Sequence, residues 1–212
     1  MTQKISGLYA ITPEWRDTGK LLDAVRGAVE CGANVVQYRN KSGDVALQHE
    51  QANELLALCR GLDVPLIIND NLRLADLTDA DGLHLGADDV AFREARLILG
   101  PGKIIGVSCY NSLTRAKEAE IQGADYVAFG SFFSSSTKPL AVAAPLSLLH
   151  EAKRQLHVPV VAIGGITLDN APALVQSGAD AIAVISALFD SKDICATSRE
   201  FARLFQRPTQ IQ

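Results

Sequence analysis

The sequence predicts a single-domain (β/α)8 TIM barrel, an α/β fold, because short apolar runs alternate with amphipathic stretches from one end to the other. We count eight such runs in 212 residues, a length near the lower limit for this fold. No linker or break in composition divides the chain, so one domain is expected over residues 1–212, with a loose tail from about residue 207. A doubly wound open sheet is the alternative, but no GxGxxG pattern follows the first run.

The predicted strands are short, apolar and often β-branched, which is typical of parallel strands that are buried on both faces. They cover residues 8–11, 34–38, 66–69, 82–85, 104–108, 126–129, 160–163 and 181–185. Between them, apolar residues spaced at about 3.6 predict helices over 18–30, 45–60, 111–122, 145–156 and 168–177. Three of these helices run into a glycine, Gly32, Gly123 or Gly178, which suits the left-handed cap that ends a helix before a strand.

Composition argues against several classes of function. The net charge of -4, without a dense cluster of Lys and Arg, gives no electrostatic case for nucleic-acid binding. No apolar run approaches the roughly 18 residues of a membrane span, and the first residues lack the features of a signal peptide. Cys31, Cys59, Cys109 and Cys195 lie far apart with no CxxC spacing. We therefore expect neither structural zinc nor a disulfide framework, and a cytoplasmic location in a reducing cytosol.

In a (β/α)8 barrel the loops after the strands carry the chemistry, so the residues that follow each predicted strand are the candidates. After the second strand, Gln37, Arg39 and Lys41 alternate, so in an extended chain they point the same way. Two cations and an amide at the barrel mouth suit an anionic, hydrogen-bonding ligand. The alternative is a solvated strand end.

Acidic residues follow the third and fourth strands. Asp70 comes after Asn69, and Asp89 comes after the fourth strand, with Asp88 as a close competitor on spacing alone. Two carboxylates from neighbouring strand ends suit Mg²⁺, which is typically held by one or two carboxylates plus substrate phosphate. An Asn-Asp pair at a strand end can equally cap a helix, and His84, within the fourth strand, can be a core histidine with satisfied hydrogen bonds.

The end of the fifth strand offers a hydroxyl and a thiol. Ser108 can donate a hydrogen bond to a ligand or cap the following helix. Cys109 is the obvious candidate for a nucleophile, but the sequence around it shows no His/Asn arrangement typical of a catalytic cysteine. We therefore predict that Cys109 is not catalytic.

Anion-binding features follow the last three strands. Gly164 and Gly165 come after the seventh strand and Ser186 after the eighth, where barrels of this kind commonly bind phosphate. The sixth strand runs into GSFFSSSTKP, in which hydroxyl residues 134–137 precede Lys138. Hydroxyls, backbone N–H groups and an ammonium suit a phosphate or pyrophosphate, although a Ser-rich surface loop is the alternative. Together with the loops after strands two to four, these features suggest two phosphorylated ligands in one mouth, one with bound Mg²⁺.

Seven motifs stand in the order QYRNK, IINDN, GLHLGADD, IGVSCYN, GADYVAFGSFFSSSTKP, VVAIGGIT and ADAIAVIS. On these motifs the chain resembles the thiamin phosphate synthase family over about residues 7–189. The resemblance implies a transferase of thiamin biosynthesis that condenses hydroxymethylpyrimidine diphosphate with thiazole phosphate, giving thiamin phosphate and pyrophosphate. Its partners would then be these small-molecule substrates, with no nucleic acid and no membrane, and the sequence is compatible with a homo-oligomer.

The same resemblance implies a set of site residues. Contacts to the pyrimidine diphosphate fall on Gln37, Tyr38, Arg39, Asn40, Lys41, Asn69, Ser108 and Lys138. Magnesium falls on Asp70 and Asp89, and contacts to the thiazole phosphate fall on Ser135, Ser136, Thr137, Gly165, Ile185 and Ser186. Arg39, Lys41, Ser108 and Lys138 are expected to be catalytic, because a dissociative displacement of pyrophosphate mainly requires positioning and neutralisation of the departing charge. No protein nucleophile is required.

Two other functions are compatible with a phosphate-binding barrel. A thiazole tautomerase, a relative with the same fold, would handle thiazole phosphate alone and would not need Arg39, Lys41, Asp70 and Asp89 together. A non-catalytic barrel that binds a phosphometabolite would bind ligand without turnover and without a metal. The joint presence of these cations and carboxylates argues against the tautomerase, and an assay for product distinguishes the synthase from the non-catalytic barrel.

Overall fold

The structure, a computed structural model, describes residues 5–86, 91–134 and 144–206 and contains a closed barrel of parallel strands. The strands are β1 (Gly7–Ile11), β2 (Ala33–Tyr38), β3 (Leu66–Asn69), β4 (Gly82–Leu85), β5 (Ile104–Tyr110), β6 (Tyr126–Phe129), β7 (Val160–Ile163) and β8 (Ala181–Val184). Each pairs with the next along the chain, and β8 pairs back to β1. The predicted (β/α)8 barrel is confirmed, and the open sheet is excluded because the ring of pairings is complete.

Helices alternate with the strands around the outside of the barrel. They are α1 (Thr18–Glu30), α2 (Val45–Gly61), α3 (Leu72–Thr78), α4 (Phe92–Leu99), α5 (Leu113–Gln122), α6 (Ser147–Gln155), α7 (Ala171–Gln176), α8 (Ser186–Phe189) and α9 (Ile194–Arg203). The five predicted helices are present, but α5, α6 and α7 begin two or three residues later than predicted. In α5 the reason is local, because the Ser112 side chain accepts a hydrogen bond from the backbone N–H of Arg115 and caps the helix there.

The sequence pattern did not predict α3, α4, α8 and α9. With 7 and 4 residues, α3 and α8 are too short for a repeat of 3.6 to stand out. The predicted glycine cap is clearest after α5, where Gly123 has φ 94° and ψ 30°, a left-handed conformation that glycine adopts without steric cost.

The strands bury both of their faces, in two separate apolar cores. Alternate residues of β1 show the division, since Leu8 and Ala10 belong to the large core between strands and helices. Tyr9 and Ile11 belong to a smaller core inside the barrel, which also contains Tyr126. Because both faces are buried, the strands read as continuous apolar runs rather than as alternating patterns.

Three aspartates lock pairs of neighbouring strands at the end of the barrel where the strands begin. The carboxylates of Asp81, Asp125 and Asp180 accept hydrogen bonds from the backbone N–H groups of Leu66, Ile105 and Val160, at 2.9, 2.8 and 2.8 Å. In return, the backbone N–H of each aspartate donates to the carbonyl of the same partner residue. Each aspartate therefore joins its own strand to the preceding one through two hydrogen bonds and fixes their register.

A disulfide joins Cys31 to Cys195, which contradicts the expectation that the cysteines would stay unpaired. The two residues are 164 positions apart, and they meet because α9 packs against α1 as the last unit of the barrel closes on the first. Sequence spacing could not reveal this contact, since it depends on closure of the ring. The pairing also removes the cysteine-based argument for a reducing compartment. Cys59 and Cys109 are free and buried.

Across the three described ranges, no helix is both long enough and apolar enough to cross a membrane.

We expect Asp180→Ala to lower the free energy of unfolding by about 2 kcal/mol, because it leaves the buried N–H at the start of β7 without its acceptor. Urea denaturation followed by circular dichroism measures this. Asp23→Ala, on the exposed face of α1, is the matched control and should change stability by less than about 0.5 kcal/mol. Equal stability of the two variants would contradict the role of Asp180 as a strand lock.

The cysteine pairing predicts a thiol count. Unfolded without reductant, the protein should titrate as two thiols with Ellman's reagent, and after reduction as four. Cys195→Ser should titrate as three in the absence of reductant. Four thiols in the purified, unreduced wild type would show that Cys31 and Cys195 are not joined.

Candidate functional site

A chain of hydrogen-bonded polar side chains crosses the inside of the barrel, and we call it the lumen chain. It consists of Gln37, Tyr9, Tyr126, His84 and Ser108. Gln37 Nε2 donates to Tyr9 Oη at 2.9 Å, and Tyr9 Oη lies 2.8 Å from Tyr126 Oη. Tyr126 Oη lies 2.9 Å from His84 Nδ1, and His84 Nε2 lies 2.9 Å from Ser108 Oγ. The chain therefore connects β2 to β5 through side chains of β1, β6 and β4.

Two predicted contacts to the pyrimidine diphosphate, Gln37 and Ser108, are the ends of the lumen chain. His84 lies between them, and both of its ring nitrogens are within hydrogen-bond distance of a hydroxyl. The interpretation of His84 as a core histidine with satisfied hydrogen bonds agrees with this geometry. Sequence reasoning missed the two tyrosines, because in the sequence they read only as apolar strand residues.

Arg39 forms an ion pair with a residue that sequence reasoning also missed. Its guanidinium nitrogen Nη1 lies 2.6 Å from Oε1 of Glu14, in the loop after β1. The backbone N–H of Arg39 donates to the Thr12 hydroxyl at 3.0 Å, which ties the end of β2 to the end of β1. The Arg39 side chain is 21% exposed, so this cation lies at the edge of the mouth with a carboxylate beside it.

Lys41 pairs with the predicted metal ligand Asp70, whose carboxylate oxygen lies 3.1 Å from the Lys41 ammonium. Asp70 has φ 61°, a left-handed conformation that is uncommon for a residue other than glycine. Its backbone N–H donates to the carbonyl of His84 at 2.9 Å. Such conformations persist where the surroundings hold them, and they concentrate at functional sites.

Asp70 does not cap the helix that follows it, which was the alternative role for this residue. Asn71 caps α3, because its side-chain oxygen accepts a hydrogen bond from the backbone N–H of Leu74 at 3.0 Å. Asp70 and Asn69 both lie on the wall of the cleft beside Lys41. The helix cap thus belongs to Asn71, and the carboxylate of Asp70 pairs with Lys41 at the cleft.

The three residues that were expected to point the same way, Gln37, Arg39 and Lys41, diverge instead. Gln37 is 4% exposed and turns into the lumen. Arg39 reaches toward the loop after β1, and Lys41 reaches toward the loop after β3. Side chains alternate in direction only within the strand, and β2 ends at Tyr38, before Arg39 and Lys41.

Tyr38 and Asn40, two more residues predicted to contact the pyrimidine diphosphate, form hydrogen bonds with α2. The Tyr38 hydroxyl donates to Gln51 Oε1 at 2.9 Å in the layer between strands and helices, so only the backbone of Tyr38 is left to meet a ligand in the mouth. The Asn40 carbonyl accepts from Gln48 Nε2 at 2.9 Å, and its side chain accepts from the backbone N–H of Ser42. These contacts hold the loop after β2 against the first half of α2.

A cleft of about 610 Å³ opens beside the Lys41–Asp70 pair. Four predicted site residues line it, and so do residues of α3 and α4 that sequence reasoning did not single out. The lining includes Asn40, Lys41, Asn69 and Asp70, together with Arg73, Asp76 and Ile98. Its size suits a small organic ligand.

The loops after β6 and β7 are packed against each other. A side chain at Gly164 would collide with Ser131, and one at Gly165 would collide with the backbone of Phe133 and Ser134. The backbone N–H of Phe133 donates to the Gly164 carbonyl at 3.1 Å. The paired glycines are therefore required by close approach of the two loops, and Gly165 lies directly against the start of the serine run.

The predicted residues Ile185 and Ser186 lie at the next strand end. Ile185 immediately precedes α8, and Ser186 is its first residue and is exposed. Because β7 and β8 are paired neighbours, the loops that carry Gly165 and Ser186 open on the same side of the barrel.

Several predicted site residues lie outside the described ranges. They are Asp88, Asp89, Ser135, Ser136, Thr137 and Lys138. Among the residues that the structure describes, no group of three or more His, Cys, Asp or Glu side chains is placed to hold a metal ion.

Cys109 is buried, and this burial raises the pKa of its thiol to about 12, although the nearby Arg115 acts in the opposite direction. A thiol that stays protonated at neutral pH is a poor nucleophile. This supports the prediction that Cys109 takes no part in covalent chemistry.

A family model described as "Thiamine monophosphate synthase" matches residues 8–188. The thiamine-phosphate synthase of Thiobacillus denitrificans is 58% identical over 199 residues, which cover 94% of each chain. That of Methylobacillus flagellatus is 53% identical over 201 residues, 95% of this chain and 96% of the relative.

A solved structure of thiamine phosphate pyrophosphorylase from Pyrococcus furiosus superimposes with a TM-score of 0.84 at 37% identity. It covers 93% of this chain, which covers 94% of it in turn. A 3-hexulose-6-phosphate synthase structure, with a TM-score of 0.67 and 16% identity, shares the fold alone.

Proposed function

The chain belongs to the thiamine monophosphate synthase family and has thiamine-phosphate synthase activity in thiamine biosynthesis, and we propose how its barrel mouth carries out that activity. A hydroxymethylpyrimidine diphosphate binds across Gln37, Ser108 and the cleft beside Lys41. Pyrophosphate then leaves the methylene carbon of the pyrimidine, and the ring nitrogen of a thiazole phosphate forms its bond to that carbon. The observation that carries this proposal is the pairing of cations with carboxylates at the barrel mouth, where Lys41 pairs with Asp70 at the cleft and Arg39 pairs with Glu14 in the loop after β1.

These ion pairs suit a ligand that brings both signs of charge. A diphosphate with a bound divalent cation offers oxygens to Lys41 and Arg39 and a cation to Asp70. Both ion pairs lie at least partly in solvent, so each contributes little to stability and can be exchanged for ligand contacts at small cost. Each of these charges therefore has a partner of opposite sign before the ligand binds. The mouth does not have to bury an isolated cation or carboxylate.

The residues present fit a magnesium ion. Asp70 supplies a hard oxygen ligand at the wall of the cleft, 29% exposed and not committed to a helix cap. Asp89 is its proposed partner. When bound, Mg²⁺ would neutralise charge on the diphosphate and orient it.

The thiazole phosphate is proposed to bind on the opposite side of the mouth, at the loops after β6, β7 and β8. Contacts to its phosphate would come from Gly165, Ile185 and Ser186, and from Ser135, Ser136 and Thr137. The packing of Gly165 against Ser134 supports this assignment, because it brings the backbone of one loop against the start of the hydroxyl run of the other. Backbone N–H groups and short hydroxyls are the usual ligands of phosphate.

The chemical step requires the protein to stabilise departing negative charge rather than to form a covalent bond. Arg39, Lys41 and Lys138 would take up the charge of the pyrophosphate, and the Ser108 hydroxyl would donate a hydrogen bond to the pyrimidine diphosphate. The electron-rich aminopyrimidine stabilises positive charge on its methylene carbon, so a dissociative displacement is the proposed path. Binding of both substrates in one mouth supplies the alignment of nucleophile and leaving group.

Purified protein mixed with both substrates and Mg²⁺ should release thiamin phosphate and pyrophosphate in equal amounts, and neither when EDTA is present. Chromatography of the product and an enzymatic pyrophosphate assay measure the two yields. Ligand binding without product would instead support a non-catalytic barrel. Isomerisation of thiazole phosphate alone would support a tautomerase.

Asp70→Asn should abolish turnover, because the amide keeps the shape of the side chain but removes the charge that would hold the metal. Asp79→Asn is the matched control, since it removes one carboxylate from the opposite end of α3, where Asp79 pairs with Arg60 and Lys103. It should keep nearly full activity. Wild-type rates for Asp70→Asn would contradict the proposed metal site.

Lys138→Ala should lower kcat by more than a hundredfold, which corresponds to about 3 kcal/mol, because it removes a charge aimed at the leaving group. Its thermal unfolding should match that of the wild type. Lys117→Ala, on the exposed face of α5, serves as the control and should keep its rate within about twofold. Full activity of Lys138→Ala would remove this residue from the mechanism.

A further inference from the structure

The proposed function uses only the two ends of the lumen chain, and the three middle residues are left without a role. Tyr9, Tyr126 and His84 are 1%, 0% and 7% exposed. The His84 ring stacks on that of Tyr126, with centroids 5.6 Å apart. Gly106 of β5 makes room for them, because a side chain there would overlap the Tyr126 ring. An apolar core could have filled this space, so the polar chain calls for an explanation.

Each tyrosine in the chain has one proton to place. Burial raises the pKa of Tyr9 and of Tyr126 well above the usual value for a phenol, so both stay protonated at neutral pH. A phenolic hydroxyl donates one hydrogen bond and accepts others. Two hydroxyls 2.8 Å apart must therefore share a single donated proton, and the direction of that donation settles where the second proton points.

The amide of Gln37 starts one continuous direction of donation. Its Nε2 donates to Tyr9 Oη, either tyrosine can donate across the 2.8 Å contact between the two hydroxyls, and donation from Tyr9 to Tyr126 continues that direction. The Tyr126 proton then points to His84 Nδ1, which must accept it. A ring that accepts at Nδ1 carries its proton on Nε2, and that proton is donated to Ser108 Oγ. The Ser108 hydroxyl, having accepted, directs its own proton out of the chain.

We infer that Tyr9, Tyr126 and His84 are positioning residues that fix, by one direction of hydrogen bonding, what the two ends of the lumen chain offer to a ligand. Gln37 presents its carbonyl oxygen as an acceptor, and Ser108 presents its hydroxyl as a donor. The reverse direction would present an amide N–H₂ and a serine lone pair instead. The chain thus couples two binding groups on different strands, so that neither can reverse without the other.

The chemical consequence rests on the proposed function. An aminopyrimidine carries an exocyclic N–H₂ group, which suits an acceptor at Gln37, and it carries ring nitrogens and diphosphate oxygens, which suit a donor at Ser108. A hydrogen bond accepted from the amino group also strengthens its donation of electrons into the ring as positive charge develops. A fixed direction therefore favours both recognition of the substrate and the dissociative step.

The position of the imidazole proton tests this inference without any substrate. In protein labelled with ¹⁵N-histidine, His84 should show a protonated Nε2 and an unprotonated Nδ1, and the His84→Gln spectrum identifies its signals. In Tyr126→Phe, Nδ1 loses its donor, so its ¹⁵N shift should move toward that of a mixed tautomer. Ser198→Ala also loses a buried hydroxyl, one that donates to the Ala28 carbonyl outside the lumen, and should leave the His84 signals unchanged. A proton on Nδ1 in the wild type would overturn the inference.

Kinetics provide a second readout that a purely structural role would not move. Tyr126→Phe and Tyr9→Phe should each lower kcat/KM for the pyrimidine diphosphate by about 10- to 100-fold, while the KM for thiazole phosphate stays the same. Equal losses for both substrates, or no loss, would overturn the inference. If Tyr126→Phe fails to fold, the kinetics of Tyr9→Phe and the position of the imidazole proton in the wild type test the inference. A wild type that makes no thiamin phosphate would contradict the proposed function, but the tautomer result would stand.

Discussion

Closure of the strand ladder from β8 back to β1 creates an interior that only side chains can fill, and the other features of the molecule follow from this constraint. Half of the strand residues face that lumen, where buried polar groups must form hydrogen bonds with one another. The lumen chain meets this requirement with four hydrogen bonds across five strands. The same closure brings α9 against α1 and Cys195 against Cys31.

The two ends of the barrel differ in how their charged side chains are paired. Where the strands begin, Asp81, Asp125 and Asp180 each close two hydrogen bonds to the preceding strand, and this end serves stability. Where the strands end, the charges at the cleft are paired more loosely, with Lys41 56% exposed beside Asp70. A rigid frame thus supports a mouth whose ion pairs can be exchanged for ligand contacts. This division agrees with the general location of chemistry on the loops after barrel strands.

Local chemistry accounts for the parts of the fold and site that the sequence predicted. The strands were found within two residues at every end, because a strand buried on both faces needs a continuous apolar run. Asp70 and Gln37 were singled out because polar residues at a strand end are conspicuous, and their roles remain predictions. Glu14 was missed because nothing near it in the chain indicates that it meets Arg39, 25 residues away. Tyr9 and Tyr126 were missed because an aromatic residue in a strand reads as core.

The sequence by itself determined the order and spacing of the elements and the residue types at each strand end, since these depend on periodicity and on neighbours along the chain. It also carried the family motifs. Only the tertiary structure decided which residues meet across the ring. Tyr9 and Tyr126 are 117 residues apart, and Cys31 and Cys195 are 164 apart. Such contacts depend on the register and closure of the whole barrel, which no local pattern encodes. The same holds for the divergence of Gln37, Arg39 and Lys41, because the point at which β2 ends depends on its two flanking strands.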